Sequence, residues 1–321
     1  MSRYLVTGGA GFIGSHLTRR LLDQGHAVTI LDDLTTGRRL NLAGLEGRSG
    51  LEIVEASILD RPILDRAAAG KDGIFHLAAA VGVRLIVENP IRSMETNIRG
   101  TENVLFAAHA AKTPILLTSS SEVYGKGIHR RFHEEDDMLL GPTSKPRWSY
   151  AAAKAIDEFF ALSYHHSRGL PVVIARLFNT VGPGQVGQYG MVIPRFIEQA
   201  KKGGPIRIYG DGTQTRCFCH VADVVEALDR LLADPRARGQ VFNVGSEEEV
   251  SIADLARRIA EFAGTNPTTE LVPYEAAYAP GFEDIKHRAP DTSKIRNLLG
   301  WKPKRTLDDI LRELTISPLS A

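Results

Sequence analysis

Short apolar runs alternate with helical patterns through the first half of the chain. The runs predict buried strands at residues 4–7, 27–32, 51–55, 73–77, 114–118 and 172–177. Apolar residues at helical spacing predict helices among them, at residues 12–24, 94–110 and 150–166. Because strands that alternate with helices are typical of right-handed crossovers, we predict an α/β fold built on a doubly wound parallel sheet.

The pattern loosens after Phe178, where glycine and proline become frequent. It predicts further helices at residues 192–201, 221–232 and 252–262, and a strand at 241–244 that returns to the sheet. We therefore predict a first domain of residues 1–178 joined by 217–245, and a smaller, discontinuous C-terminal lobe of residues 179–216 and 246–316. The last third is predicted to be irregular, and the charged run at 129–137 is expected to be a solvated loop.

The composition of the 321 residues is ordinary for a globular protein, with 43% apolar and 24% charged residues. Lys and Arg number 39 and Asp and Glu 38, so with a net charge of +1 we expect neither nucleic acid nor a membrane surface as the main partner. The chain begins directly with a predicted strand and has no apolar run of roughly 18 residues, so we expect no secretion signal and no membrane span. Cys217 and Cys219 are too close for an unstrained disulfide, and we expect reduced thiols in the cytoplasm.

A glycine-rich segment, residues 7–14, connects the first predicted strand to the first helix. Glycine permits a tight turn and a close approach of the backbone to a pyrophosphate, and the helix N-terminus attracts the phosphates. The second strand ends in Asp32, whose carboxylate suits the ribose hydroxyls of adenosine and would repel a 2′-phosphate. We therefore predict NAD as the cofactor, held by Gly8, Gly11, Phe12, Ile13, Gly14 and Asp32.

Tyr150 and Lys154 lie one helical turn apart, so their side chains project from the same face of a helix. The pKa of a phenol is near ~10, and a neighbouring ammonium favours the phenolate, which makes the tyrosine a usable base. The strand at 114–118 delivers a run of hydroxyl side chains, ending at Ser121, to the carboxyl edge of the sheet. Ligands bind at that edge in open α/β sheets, so we predict the catalytic site there.

These motifs together resemble the extended short-chain dehydrogenase/reductase superfamily, in the branch that acts on nucleotide-sugars. The resemblance includes the glycine segment, residues 119–125, Tyr150 with Lys154, and residues 176–183 and 209–216. It implies a Rossmann-type fold in which Tyr150 takes the proton of the sugar 4-hydroxyl and Ser120 or Ser121 hydrogen-bonds the same oxygen. A hydride then passes to NAD to give a 4-keto sugar, and Tyr150 and Lys154 also contact the cofactor.

Two residues indicate whether the keto sugar is decarboxylated, epimerised or dehydrated. Glu122 follows the serine run as in the UDP-glucuronate decarboxylases, although GDP-mannose 4,6-dehydratases also have a glutamate there, as the base that acts at C5. Arg288 resembles the decarboxylase arginine that acts at the sugar carboxylate. A guanidinium suits a carboxylate because it donates two hydrogen bonds at once. We therefore predict a UDP-glucuronate decarboxylase. The alternatives are a 4-epimerase of UDP-glucose or UDP-glucuronate, then an NDP-sugar 4,6-dehydratase and, in a different class, a non-catalytic NAD-sensing protein.

Two positions depart from the resemblance. Residues 78–83 read Ala-Ala-Ala-Val-Gly-Val, which is more similar to epimerases and dehydratases, because the decarboxylases carry prolines there. Ser57 stands where relatives usually have an aspartate near the adenine.

The remaining expectations concern substrate, metal and assembly. The predicted substrate contacts are Asn179, Val192, Tyr209, Arg216 and Arg288, and the expected class of substrate is a UDP-sugar. No metal is expected, because residues 217, 219 and 220 have a spacing that suits a tetrahedral ion poorly. The helices near 101–111 and 156–164 resemble the four-helix dimer interface of the superfamily, so we expect a homodimer.

Overall fold

Seven parallel strands form the central sheet, in a computed structural model that describes residues 1–82, 89–187, 191–277 and 285–316. They are Arg3–Thr7 (β1), Ala27–Asp32 (β2), Leu51–Glu55 (β3), Gly73–His76 (β4), Ile115–Ser120 (β5), Val172–Leu177 (β6) and Gln240–Val244 (β7). Their order across the sheet is β7-β6-β5-β4-β1-β2-β3. The order reverses between β1 and β4, the point at which such sheets bind dinucleotides. The predicted doubly wound fold is confirmed.

Helices cover both faces of this sheet and build the C-terminal lobe. They are Phe12–Asp23 (α1), Arg61–Ala68 (α2), Pro90–Met94 (α3), Gly100–Ala110 (α4), Trp148–Arg168 (α5), Val192–Lys201 (α6), Val221–Ala233 (α7), Ile252–Phe262 (α8), Tyr274–Ala277 (α9), Ser293–Leu299 (α10) and Leu307–Ile316 (α11). A π turn, Glu95–Arg99, joins α3 to α4, so the helix predicted at 94–110 begins earlier and is interrupted. Single 3-10 turns occupy Arg39–Leu42, Ser121–Tyr124 and Pro235–Ala237.

Short strand pairs complete the described structure. They are Thr180–Val181 with Cys219–His220, Ile206–Tyr209 with Thr269–Val272, Thr215–Cys217 with Glu249–Ser251, and Arg131–Phe132 with Ala289–Pro290. No helix within the described ranges is both long enough and apolar enough to cross a membrane.

Among the described residues, three large apolar clusters and a smaller one that includes Tyr124 and Phe132 form the core. One, with Leu21 and Leu228, packs on one face of the sheet, and a second, with Leu105 and Ala161, packs on the other face. Burial on both faces explains why the strands are continuous apolar runs in the sequence. The third cluster lies in the C-terminal lobe and joins α6, α8 and α11.

Two expectations about the polar segments are confirmed only in part. The charged run at 129–137 is mostly exposed, as expected of a solvated loop, but Phe132 is 1% exposed and the Glu134 carboxylate accepts a hydrogen bond from the Asn243 N–H at 2.7 Å. Burial raises the pKa of Glu134, against the effect of this bond. The last third is also more regular than predicted, since α10 and α11 bury Ile295 and Ile310 against the two lobes.

Candidate active site

A cleft of about 620 Å³ opens at the carboxyl ends of the sheet strands, facing the C-terminal lobe. Its volume is in the range of small-molecule sites. All the residues predicted to bind cofactor or substrate, or to act in catalysis, line it: Gly8, Gly11, Phe12, Ile13, Gly14, Asp32, Ser120, Ser121, Glu122, Tyr150, Lys154, Asn179, Val192, Tyr209, Arg216 and Arg288. Ala78 to Gly82 and Ser57 also line the cleft, while Val83 lies outside the described residues.

The glycine-rich segment forms a tight turn between β1 and α1. Gly8 has a φ of +72°, a left-handed conformation that favours glycine, and a Cβ there would lie 2.7 Å from the backbone nitrogen of Ala78. The Gly11 N–H donates to the Gly8 carbonyl at 3.0 Å, and α1 begins at Phe12. The turn therefore brings bare backbone to a helix N-terminus, which fits the pyrophosphate of a dinucleotide.

Asp32 ends β2, and backbone groups hold its carboxylate in place. Its oxygens accept hydrogen bonds from the N–H groups of Ala10 and Leu34, each at 2.9 Å. Gly37 packs so closely that a Cβ there would approach the carboxylate to 2.5 Å. Burial raises the pKa of Asp32, and the N–H donors oppose this rise. The carboxylate thus has a fixed position at the edge of the cleft.

Helix α5 carries Tyr150 and Lys154 on the face toward the cleft. The Lys154 side chain is 2% exposed, and its Nζ donates to Asp157 Oδ2 at 2.9 Å. Burial raises the pKa of the Tyr150 phenol, and the Lys154 ammonium opposes that rise. Burial alone would lower the pKa of Lys154, but Asp157 and Tyr150 raise it above its usual value. Lys154 is therefore an ammonium at neutral pH, and we call these two residues the Tyr150–Lys154 pair.

The serine run lies at the junction of β5 and the 3-10 turn that follows it. The strand continues two residues further than predicted, to Ser120, whose hydroxyl accepts a hydrogen bond from the Glu122 N–H at 3.2 Å. Ser120 also lowers the pKa of the Tyr150 phenol as its hydrogen-bond partner. The turn is anchored by Tyr124, whose buried hydroxyl donates to Asn243 Oδ1 at 2.7 Å. The sheet therefore fixes the position of the serines, through β5 itself and through Asn243 of β7.

Two guanidiniums enclose Glu122, and we call Glu122, Arg147 and Arg288 the arginine cluster. Arg288 donates from Nη1 to Glu122 Oε1 and from Nη2 to Asn179 Oδ1. Arg147 Nη1 lies 3.2 Å from Glu122 Oε2. Burial would raise the pKa of Glu122, but Arg288 and then Arg147 outweigh it and hold the pKa below its usual value. Glu122 is therefore a carboxylate, and the cluster has a net positive charge.

The other predicted substrate contacts lie toward the C-terminal lobe. Arg216 is held by two backbone carbonyls, each 2.7 Å from its Nη1. The guanidinium of Arg195 lies 3.9 Å from the centre of the Tyr209 ring, and Val192 begins α6 nearby. This end of the cleft thus combines cations with a flat aromatic surface.

The cysteines form no evident reactive site. Cys217 and Cys219 are buried free thiols, and burial raises the pKa of Cys217 to about 12. In the part of the chain that the structure describes, no group of three or more His, Cys, Asp or Glu side chains is arranged to hold a metal ion.

Comparison with known proteins assigns the chain to a family. The sequence profile of the NAD dependent epimerase/dehydratase family matches residues 4–245, which is most of the chain. The chain belongs to this family. It is therefore an NAD-dependent enzyme, and the predicted superfamily and cofactor are confirmed.

Relatives within the family share nearly the whole length of the chain. The UDP-N-acetyl-alpha-D-glucosaminuronate decarboxylase of Bacillus cytotoxicus is 43% identical over 312 residues, which cover 97% of this chain and 96% of that one. UDP-glucuronic acid decarboxylase 1 of Arabidopsis thaliana is 35% identical over 307 residues, 95% of this chain and 67% of that one. The crystal structure of UDP-glucuronic acid 4-epimerase from Bacillus cereus, in complex with UDP-glucuronic acid and NAD, has a TM-score of 0.87 at 30% identity and covers 97% of both chains. All three names refer to UDP-linked uronic acids.

Two charged residues of the site were not among the predicted site residues. Arg147 precedes Tyr150 by three positions, and Asp157 follows Lys154 by three. Asp157 lies on the face of α5 that carries the Tyr150–Lys154 pair, and Arg147, the N-cap of α5, is one turn before Tyr150, so the spacing that would have found them was present in the sequence.

Proposed function

We propose that this enzyme decarboxylates a UDP-linked hexuronate through a 4-keto sugar. The arginine cluster is the observation that carries the proposal, because it brings two guanidiniums into the cleft next to Tyr150. A hexuronate differs from a hexose by its C6 carboxylate, which a guanidinium binds in two-point fashion. The 43% identity to a decarboxylase of a 2-acetamido sugar, against 35% to a UDP-glucuronate decarboxylase, makes the acetamido hexuronate the first substrate to assay.

Proton transfer in this proposal belongs to the Tyr150–Lys154 pair. Tyr150 takes the proton of the sugar 4-hydroxyl, and the Lys154 ammonium stabilises the phenolate that accepts it. Ser120 or Ser121 hydrogen-bonds the same sugar oxygen. NAD, which Gly8, Gly11, Phe12, Ile13, Gly14 and Asp32 would hold, supplies the oxidation and re-reduction of C4.

Carbon dioxide loss follows from the position of the new ketone, which is β to the C6 carboxylate. The bond between C5 and C6 breaks, its electron pair forms an enolate with the C4 ketone, and C5 later takes up a proton. Arg288 orients the carboxylate, which replaces Glu122 as its partner. Glu122, which keeps Arg147 as its partner, would then take a proton from water and pass it to C5. Tyr150, protonated in the first step, donates a hydrogen bond to the enolate oxygen.

We also propose that the two lobes bind different ligands. Residues 1–178 with 217–245 would bind the dinucleotide, and residues 179–216 and 246–316 would bind the nucleotide-sugar. Arg216 suits a diphosphate because its guanidinium can donate two hydrogen bonds to phosphate oxygens, and Asn179 lies beside it. The stacked Arg195 and Tyr209 suit the flat base.

A 4-epimerase of UDP-glucuronate is the second candidate. The small side chains of Ala78 to Gly82, which replace the prolines expected of a decarboxylase, favour it, and so does the similarity to the Bacillus cereus epimerase. Both candidates use the Tyr150–Lys154 pair and bind a carboxylate, so they differ in the fate of the keto sugar.

Incubation of the purified protein with UDP-N-acetylglucosaminuronate, UDP-glucuronate and UDP-glucose tests the proposal. Products are identified by mass spectrometry and NMR. We expect CO2 loss from at least one hexuronate and no turnover of UDP-glucose. An unchanged mass with an inverted C4 would favour the epimerase and refute decarboxylation.

We further propose a homodimer, in the cytoplasm, where the two buried thiols would stay reduced. Phe106 of α4 and Phe159 of α5 are 45% and 62% exposed, on the two helices predicted to form the interface. Light scattering of the wild type should give twice the mass of one chain. Phe159→Asp should give a monomer, and a wild-type monomer would contradict the proposal.

A further inference from the structure

The Lys154 ammonium is enclosed between two acidic groups of its own helix. Tyr150 precedes it by one turn, and Asp157 follows it by three residues, so all three lie on one face of α5. Lys154 Nζ donates to Asp157 Oδ2 at 2.9 Å. The two side chains are 2% and 0% exposed, so this ion pair is closed to water. The proposed mechanism assigns a role to Lys154 but none to Asp157.

A buried carboxylate in contact with a buried ammonium affects both partners. Water cannot screen the charge of Asp157, so it acts on Lys154 at contact and on the Tyr150 phenol more weakly, from further away. Burial raises the pKa of Asp157, and Lys154 opposes that rise. Asp157 therefore favours the ammonium form of Lys154 and at the same time opposes the phenolate form of Tyr150.

We propose that Asp157 is a positioning residue of the reaction centre: it fixes the Lys154 ammonium under the Tyr150 phenol and keeps it charged. This inference rests on the proposed roles of Tyr150 and Lys154, and holds for a decarboxylase and an epimerase alike.

Removal of this charge has two consequences with definite signs. Asp157→Asn keeps the size and the acceptor oxygen but removes the like charge, so Tyr150 loses its proton at lower pH. Lys154 also releases its proton more easily. Part of the enzyme that has lost one proton then carries a neutral lysine and a protonated tyrosine, and this form is inactive because it has no phenolate to accept the substrate proton. The acid limb of kcat/KM should therefore move to lower pH while its plateau falls. Loss of structure alone would lower the plateau and leave the limb in place.

The other ionisable groups that act on the Tyr150–Lys154 pair come from three elements. Glu122 lies on the turn after β5, and Glu158 lies on α5 itself, bound to Arg176 at 2.7 Å. His76 of β4 is fully buried, and burial followed by the Lys154 charge lowers its pKa to about 3, so it stays neutral. None of these groups contacts Lys154 as Asp157 does, so each should affect the ionisation of the Tyr150–Lys154 pair less than Asp157 does.

The test compares Asp157→Asn, Asp157→Glu and Glu158→Gln with the wild type. The kcat/KM profile against pH is measured with whichever UDP-sugar the wild type turns over. We expect the acid limb of Asp157→Asn to lie about one pH unit lower, and that of Asp157→Glu to stay near the wild type. Glu158→Gln removes a carboxylate one residue away that is 6% exposed and ion-paired with Arg176, so it should lower the melting temperature and move the limb much less than Asp157→Asn does. An unmoved limb in Asp157→Asn, or an equal shift in Glu158→Gln, would overturn the proposal.

Two readouts need no substrate and separate this proposal from the proposed function. The absorbance of the Tyr150 phenolate, taken as the difference between each protein and its Tyr150→Phe variant with NAD bound, should show the same shift to lower pH. If Asp157→Asn does not fold, lysine side-chain nitrogen NMR of the wild type replaces it. Lys154 should then remain an ammonium across the active pH range, and a neutral Lys154 amine in that range would refute the role of Asp157.

Discussion

The Tyr150–Lys154 pair and the arginine cluster both bring charge into the cleft, but the fold holds them in different ways. Lys154 and its partner Asp157 lie on one helix and are 2% and 0% exposed. Arg288 and its partner Glu122 are 166 residues apart in the chain and are 13% and 19% exposed. The first ion pair is sealed within one element, while the second joins the two lobes and faces the cleft. A substrate carboxylate can therefore compete for Arg288 more readily than for Lys154, which lines the cleft but is almost fully buried.

This difference suggests that the two regions carry different parts of the reaction. A sealed charge suits a step common to the whole family, the removal of a proton from the 4-hydroxyl. An exchangeable ion pair suits the recognition of one class of substrate. Substitutions in the first region should affect every substrate, and those in the second should affect hexuronates above all.

The largest effect is expected from Tyr150→Phe. Loss of the proton acceptor should lower turnover of any UDP-sugar by roughly 10²–10⁴-fold, the range for general acid–base catalysis. The fold and NAD affinity should stay close to those of the wild type, as checked by circular dichroism and calorimetry. Near-normal turnover in this variant would remove Tyr150 from the account.

Arg288→Ala should follow, with a selective effect on hexuronates. Loss of one partner of a desolvated charge pair typically costs ~2–5 kcal/mol, which corresponds to a loss of well over a hundredfold in the upper part of that range. Arg288→Lys should not restore the activity, because an ammonium cannot replace the planar fork. NAD affinity, measured by calorimetry, should be unchanged, and equal losses on neutral and acidic sugars would contradict a role in carboxylate recognition.

Glu122→Gln separates charge from packing within the arginine cluster. The amide keeps the size of the side chain, so the cluster should stay in place, while proton exchange at C5 is lost. We expect turnover of the hexuronate to fall by roughly a hundredfold, with little change in KM. If instead this variant and Arg288→Ala both interconvert UDP-glucose and UDP-galactose within a few-fold of the wild-type rate, the enzyme is an epimerase of neutral sugars.

Lys154→Met tests the Tyr150–Lys154 pair through the pH dependence of kcat/KM. The ammonium lowers the pKa of Tyr150, so its removal should move the acid limb of kcat/KM to higher pH, by about one unit or more, and lower the rate at neutral pH. The shift is opposite to that expected for Asp157→Asn. A limb that stays in place would mean that Lys154 does not set the ionisation of Tyr150.

The smallest effect is expected outside both regions, at Asp32. Asp32→Ala removes the carboxylate expected to accept hydrogen bonds from the ribose hydroxyls, and should weaken NAD by about tenfold while improving NADP. Calorimetry of both cofactors measures this change in preference. Tighter binding of NADP than NAD by the wild type would contradict the assignment of Asp32.

Local sequence patterns predicted the Tyr150–Lys154 pair better than they predicted the arginine cluster. Tyr150 and Lys154 follow from helical spacing, and Asp32 follows from the end of an apolar strand, because each depends on a few neighbouring residues. Arg288 was predicted from resemblance alone, and its contact with Glu122 depends on how the two lobes meet. Glu134 shows most clearly what local patterns cannot predict. Nothing in the charged run at 129–137 indicates that the Glu134 carboxylate is buried and accepts a hydrogen bond from the Asn243 N–H, 109 residues away.

The two C-terminal helices that were not predicted are a different case. Apolar residues recur at helical spacing in both, at 295, 298 and 299 in α10 and at 307, 310, 311 and 314 in α11, so the sequence did contain the signal for these helices. Their stability comes from packing on the lobes that precede them in the chain. The same dependence on tertiary contacts explains the early start of the helix predicted at 94–110.

The most direct test of the account uses a UDP-hexuronate that is isotopically labelled at its carboxyl carbon. The wild type and Arg288→Ala are incubated with it, and labelled CO2 and the mass of the remaining nucleotide-sugar are measured together. We expect labelled CO2 and a UDP-pentose from the wild type, and a severe loss of both from Arg288→Ala. A wild-type product that keeps the label, with its C4 inverted, would contradict it.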